Sequence, residues 1–250
     1  MLKTIKIILF FSFTIVFFLL SLDSAEARRG GASISGDSAI SLGLSVISSQ
    51  QKDLNSVTDY VNANSGGVST KGMNSAYDIY GQYMFRFTGS MFGLAFRPSY
   101  FTESATGSGN TVGDYKHDLT GYTFFTLLRV YPLENNFIKF FLQGGVGYGV
   151  LKGKITQGSN SLEFSGSNFG AQAGLGAEFC FTESQCIGIE GNLRYLPINR
   201  STVDSLSGSF PEASSGLSQA ANGRELEYDN NDLATTMSGI QGVVSYNFNF

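Results

Sequence analysis

The sequence predicts an all-β fold, an eight-stranded antiparallel up-and-down transmembrane β-barrel, and three observations carry that reading. Eight segments alternate apolar and polar side chains with a period of two. The connections between them are by turns tight and long. Charge is scarce where aromatic residues are plentiful: charged residues make up 14% of the 250-residue chain, Phe and Tyr together 14%, and there are 31 glycines, against about 25% charged in an ordinary soluble domain.

Taken in order, the chain opens with Lys3 and Lys6, an apolar run over 7–22, and the small-residue stretch Ser24-Ala25-Glu26-Ala27. A basic start, a short apolar run and small residues at the two positions a signal peptidase reads predict a secretory signal peptide, 1–27, cleaved after Ala27. The run is short against the roughly 20 residues a spanning helix needs. Residues 28–37 then read as a short periplasmic lead-in and 38–250 as one barrel domain. The alternating segments are 38–49, 75–87, 91–101, 119–132, 137–151, 168–181, 186–196 and 235–250, each at or above the nine to eleven or so residues of a tilted membrane strand. Turns at 88–90, 133–136 and 182–185 are of hairpin length. Connections at 50–74, 102–118, 152–167 and 197–234 are long, and tight turns at one rim with long loops at the other are the pattern of an outer-membrane barrel.

The two faces differ in kind. One parity collects apolar and aromatic residues such as Leu42, Leu44, Ile79, Phe96, Phe124, Leu142, Leu175, Ile189 and Val244, with no charge among them. The other holds Asp78, Arg86, Arg97, Arg129, Lys139, Glu178, Glu190 and Arg194. Asp78 with Arg86, and Glu190 with Arg194, are the informative cases, because each pair shares one face of one segment. A Lys or Arg on the lipid side at mid-bilayer would cost about 2–4 kcal/mol, so these charges are assigned to the interior. Eight strands enclose a bore that side chains fill, and five cations facing three anions are expected to pair there as a plug.

Three local features follow. Cys180 and Cys186 are the only cysteines, and across a hairpin in an oxidising compartment they predict a disulfide. A zinc site would need more ligands than these two and the single histidine supply. The glycine-rich stretches 144–149 and 170–176 lack the following helix and the Gly-Lys-Ser/Thr of a phosphate loop and read as relief of crowding in a narrow barrel. Pro98 removes a ladder hydrogen bond within its strand, predicting a bulge or irregularity there.

The last segment places Val244, Tyr246, Phe248 and Phe250 on one face, and it resembles the closing strand of bacterial outer-membrane barrels. With the leader, the eight alternating segments and Gly147-Tyr148-Gly149, the chain resembles the OmpA-like small outer-membrane β-barrel proteins. The resemblance implies a bacterial outer-membrane location and insertion by the barrel-assembly machinery, with Tyr246, Phe248 and Phe250 in the assembly signal. Two departures are expected: a peptidoglycan-binding domain is missing after the barrel, and the loops are the chain's own, rich in Ser, Gly and Asn, with an acidic stretch at 224–232, mobile and solvated.

No cofactor or metal is expected, and a formal net charge of −4 without a basic cluster beyond Arg28-Arg29 argues against nucleic acid. The leading expectation is a non-enzymatic barrel that anchors four surface loops for envelope integrity, adhesion or antigen display, in contact with outer-membrane lipid and lipopolysaccharide and with a host or surface ligand at the loops. Rivals are a narrow porin-like channel lined by Arg97, Arg129, Lys139, Glu178, Glu190 and Arg194; a lipid A-modifying enzyme using His117 beside Asp118 at the rim; and a secreted lipocalin-like binder with the faces inverted.

Overall fold

The computed structural model describes residues 38–64, 69–109 and 113–250; the leader, its cleavage site after Ala27 and the lead-in 28–37 lie outside the described residues. Eight long strands form a closed ring: β1 (Ser38–Ser48), β2 (Ala76–Arg86), β3 (Phe92–Gly109), β4 (Gly113–Glu134), β5 (Ile138–Gln157), β6 (Asn160–Cys180), β7 (Gln185–Tyr195) and β8 (Gly239–Asn249). Each pairs antiparallel with its sequence neighbours, and β8 returns to β1 with Ile40 opposite Phe248 and Leu44 opposite Val244. Closure satisfies the backbone of the edge strands inside the sheet, which a hydrocarbon surround requires. At the seam, Phe250 N–H donates to Ser38 O at 2.9 Å.

Side chains alternate across the wall. Leu42, Leu44, Ile79, Leu142, Leu175, Ile189 and Val244 all point outward and exposed, and their inward neighbours are buried, apart from the half-buried Gly174. The outward band is bordered by aromatic rings. Tyr77, Tyr100, Tyr122, Tyr148, Phe169 and Tyr195 stand on the loop side, and Phe92, Phe140, Phe179, Phe248 and Phe250 on the turn side. Tyr100 lies 5.3 Å from Tyr122 and Tyr148 lies 5.0 Å from Phe169, centroid to centroid. Such girdles sit at the two membrane–water interfaces.

Above the loop-side girdle the structure departs from the sequence reading. Segments 102–118 and 152–167 are not long loops: β3, β4, β5 and β6 continue through them, and β5 turns into β6 at Gly158, whose φ is +58°. Alternation persists there, with Tyr115, His117 and Leu119 buried and Lys116 and Asp118 turned out, but Gly, Ser and Lys dilute the pattern. Segment 50–74 contains a helix, α1 (Lys52–Asn64), which buries Leu54, Val57, Thr58 and Val61, the i, i+3, i+4, i+7 spacing of a one-faced helix. Segment 197–234 adds the strand Thr202–Ser207 to the edge of β6 and a small hairpin, Glu227–Tyr228 against Asn231–Asp232, turned by Asp229 and Asn230 at φ +51° and +57°.

The expectation of mobile, solvated loops is therefore corrected. The four connections build a folded cap in which Leu54, Val57, Ile155, Leu162, Phe164, Ile198, Val203, Leu226, Leu233 and Met237 continue the apolar core of the barrel interior. Burying a Leu, Val or Phe side chain is worth roughly 1.5–3 kcal/mol each, and this drives the polar-looking segments to fold. The closing strand is shorter than expected, because Thr235 and Thr236 pair instead with Ile198 and Pro197.

Pro98 makes an interruption and not a bulge. Its partner across β4 is still Phe124, while the β2–β3 ladder lapses between the Tyr80–Ser99 and Tyr83–Phe96 pairs without a change of register. A register shift does occur between Val130 and Leu133 of β4, at the turn-side rim.

Candidate functional site: the closed lumen and its cap

The inward charges meet in the order that the register dictates. Every strand delivers alternate residues to the bore, so long side chains from opposite walls reach one another across a narrow axis. Glu190 of β7 is the hub. Its carboxylate accepts from Arg129 Nη2 at 2.7 Å, Arg97 Nη2 at 2.9 Å, Gln143 Nε2 at 2.9 Å and Asn192 Nδ2 at 3.2 Å. Arg129 also donates to Glu178 at 3.1 Å and, through Nε, to Gln143 Oε1 at 2.8 Å. Arg97 donates to Gln82 Oε1 through Nε at 2.9 Å and Nη2 at 2.7 Å. Aromatic faces complete the packing: Arg97 lies 4.3 Å over Tyr80 and Arg129 4.0 Å over Phe141.

A second layer lies toward the loops. Arg194 Nη1 donates to Asp78 at 2.7 Å, and its Nε donates to the Met237 carbonyl at 2.7 Å, which ties lumen to cap. Gln241 Nε2 donates to Ser45 Oγ at 2.8 Å. At the turn side, Arg86 makes a bidentate pair with Glu134 at 2.6 and 2.7 Å over the Tyr131 ring, with Lys139 3.7 Å from the same carboxylate. Asp78, Arg97, Arg129, Lys139, Glu178, Glu190 and Arg194 are all 4% exposed or less, so none faces an open bore. Arg86 occupies the rim, where it is only partly buried.

Sequence reasoning missed the neutral half of this network, Gln82, Gln143, Asn192 and Gln241, and the rim acid Glu134. The four amides share the inner parity of the charges, and extending the face test from charged to all polar residues finds them. The glycine-rich stretches also find their cause: a Cβ on Gly147 would sit 2.5 Å from the Phe125 ring, and one on Gly176 2.5 Å from Phe141. Glycine leaves room for inward aromatics, and no phosphate cradle forms.

The cap is clamped to the mouth at Gln51. Its Nε2 donates to Glu103 Oε2 at 2.8 Å and to the Thr236 carbonyl at 2.7 Å, while Thr236 N–H donates to Gln51 Oε1 at 3.0 Å. Burial raises the Glu103 carboxyl above the usual range. His117, on the part of β4 beyond the Tyr122 girdle, is buried against Tyr115, with Nε2 2.6 Å from the Tyr115 hydroxyl, and burial lowers its pKa to about 4. Asp118 points the opposite way and pairs with Lys116 at 2.8 Å. The rim His–Asp pair considered for lipid A chemistry is thus not a pair.

Cys180 and Cys186 are directly opposed at the end of the β6–β7 hairpin and form a disulfide. Tyr246, Phe248 and Phe250 lie outward along the seam, with Phe248 and Phe250 stacked at 6.2 Å. Among the described residues no cluster of His, Cys, Asp and Glu has the makings of a metal site.

No protein-family model matches the sequence, and no curated protein does. Among solved structures, the outer membrane protein OprG from Pseudomonas aeruginosa is similar with a TM-score of 0.53 at 12% identity, over 86% of this chain and 97% of that one. Ail, the attachment invasion locus protein of Yersinia pestis, aligns with a TM-score of 0.40 at 13% identity, over 86% and 99%. By fold, the chain is an eight-stranded outer-membrane-type β-barrel. At 12% identity the likeness to OprG is one of architecture.

Proposed function

We propose that the protein is a non-enzymatic outer-membrane barrel whose closed wall anchors a folded surface cap, serving envelope integrity, adhesion or antigen display. The observation that carries this reading is the pairing of inner charges across the bore beneath a folded cap whose apolar residues are continuous with the barrel's core: chemistry is sealed inside, and the side chains free to meet a partner are on the cap. In this reading the leader directs export, Tyr246, Phe248 and Phe250 serve the assembly machinery, and lipopolysaccharide surrounds the outer half of the wall. A host or surface ligand would meet the cap.

The rival channel reading needs a path through Arg97, Arg129 and Glu190, and their mutual hydrogen bonds oppose it. Single-channel recording with the purified protein in planar bilayers tests the proposal. Steady conductance in the untreated protein overturns it; an electrically silent barrel that becomes leaky only when the Glu190 network is cut supports it.

A further inference from the structure

Cys180 ends β6 and Cys186 stands near the start of β7, six residues apart along the chain and directly opposed across the hairpin. Phe181 N–H donates to Gln185 O at 3.1 Å, which makes the cysteine pair beside it a non-hydrogen-bonded one, where facing side chains come closest. Gln185 N–H donates to Thr182 Oγ1 at 3.0 Å and tightens the turn. The hairpin alone therefore brings the two sulfurs face to face, and closing so short a loop costs little chain entropy.

Access is a different matter once the ring is complete. Both cysteines share the inward parity of Glu178 and Glu190, and Cys186 is 0% and Cys180 5% exposed. The end of β8 lies over them. Asn247 stands opposite Cys186, Asn249 Nδ2 donates to Cys186 Sγ at 3.3 Å, and Asn249 N–H donates to the Ser184 carbonyl at 2.7 Å. Ala39 of β1 pairs with Asn249 and with Met84 of β2, and both of these inward side chains are buried as well. Thiol–disulfide exchange needs a foreign thiol or disulfide to reach one of the sulfurs and form a mixed disulfide with it. The closing strand occupies that approach.

We infer that the bridge is made in the β6–β7 hairpin before β8 closes the ring, so that thiol oxidation is the reaction that must precede barrel closure, and that the closed barrel neither gains nor loses it. One cysteine thiolate attacks the disulfide of the oxidant and displaces one of its thiolates; the second cysteine thiolate attacks the mixed disulfide and displaces the other. The pair gives up two electrons and two protons in all, and the oxidant's disulfide leaves as two thiols. The oxidant is a disulfide-bearing thiol oxidase or a small disulfide of the compartment the chain crosses on export. The inference deepens the outer-membrane reading and rests on it for that oxidising compartment. A stapled hairpin then offers β8 an edge of β7 that is already paired with β6.

The test follows the redox state of the full chain, with glutathione disulfide as oxidant, dithiothreitol as reductant, and the gel shift of a polymer-linked maleimide as readout. Reduced chain unfolded in urea is compared with reduced chain folded in detergent micelles, and heat-dependent gel migration confirms the fold. Oxidation should be slowed on the order of a hundredfold in the folded barrel, since it must await local opening. The barrel folded from oxidised chain should resist dithiothreitol by a similar factor until urea is added, and this arm does not require the reduced chain to fold. A folded barrel oxidised or reduced within about tenfold of the unfolded rate overturns the inference, because its bridge could then be made after closure. A silent barrel whose cysteines react freely loses this ordering and keeps the proposed function; a conducting barrel whose cysteines are sealed does the reverse.

Discussion

Replacing Glu190 with Ala removes the acceptor shared by Arg97, Arg129, Gln143 and Asn192 and leaves two guanidinium groups, 3% and 1% exposed, with a shortage of negative charge. Breaking a buried pair by deleting one partner costs about 3–5 kcal/mol, because the remaining charge stays desolvated. Both arginines keep some support: Arg97 retains Gln82, and Arg129 retains Glu178 and Gln143. The loss is therefore placed at the lower end, about 3 kcal/mol, or roughly a hundredfold in the folded-to-unfolded ratio. The assay is reversible urea unfolding in phospholipid vesicles followed by tyrosine fluorescence, since the chain has no Trp. In the double variant Arg97→Gln/Glu190→Gln the loss should shrink relative to the sum of the singles, with a coupling of about 0.5–3 kcal/mol. A Glu190→Ala loss under about 1 kcal/mol, or strict additivity, would refute the claim that these charges depend on one another.

Four further outcomes are expected. Leu175→Arg, outward in the belt, should cost about 2–4 kcal/mol in the same assay, whereas Ser165→Arg above the girdle should cost little. Gly147→Leu, whose Cβ would meet the Phe125 ring at 2.5 Å, should cost about 1–3 kcal/mol through overpacking, read as lowered heat stability of the folded band on gels. Removing the disulfide with Cys180→Ser/Cys186→Ser should cost about 2 kcal/mol, the closure entropy of a short loop. Because the folded pKa of His117 is lowered to about 4, its contribution is complete above the unfolded value near 6.5 and is lost as pH falls between the two, by about 3 kcal/mol at most. Glu103, with its raised value, acts in the opposite sense, so the readout is the difference between wild type and His117→Phe in proteolysis of the cap at pH 7 and pH 4.5: the variant should lose the acid-dependent cleavage.

The wall was legible because its physics is local. Period two, the exclusion of charge from one face and the tight turns at 88–90, 133–136 and 182–185 are all properties of neighbouring residues, and they located the strands, their faces and the opposition of Cys180 and Cys186. The partners inside were not legible. Arg194 meets Asp78 from 116 residues away, and which walls face each other depends on register accumulated around the ring. The cap was missed for a different reason: Leu54, Val57 and Val61 are a helix stripe among polar residues, and β4 and β5 above the girdle alternate apolar with Lys, Thr and Gly, a weak signal once hydrocarbon no longer enforces it. Pro98 was legible as an irregularity, since the ladder lapses beside it, though without the shift of register that a bulge would bring.

Site-directed quenching by brominated acyl chains tests the central claim most directly, with a fluorophore placed in turn at positions 142, 175 and 190. Labels at 142 and 175 should be quenched strongly and most by bromines deep in the bilayer, while a label at 190 should be shielded from both lipid and aqueous quenchers. Strong aqueous quenching at 190 with protection from lipid at 142 and 175 would contradict the account, because it would put the charged face outside and the apolar face within.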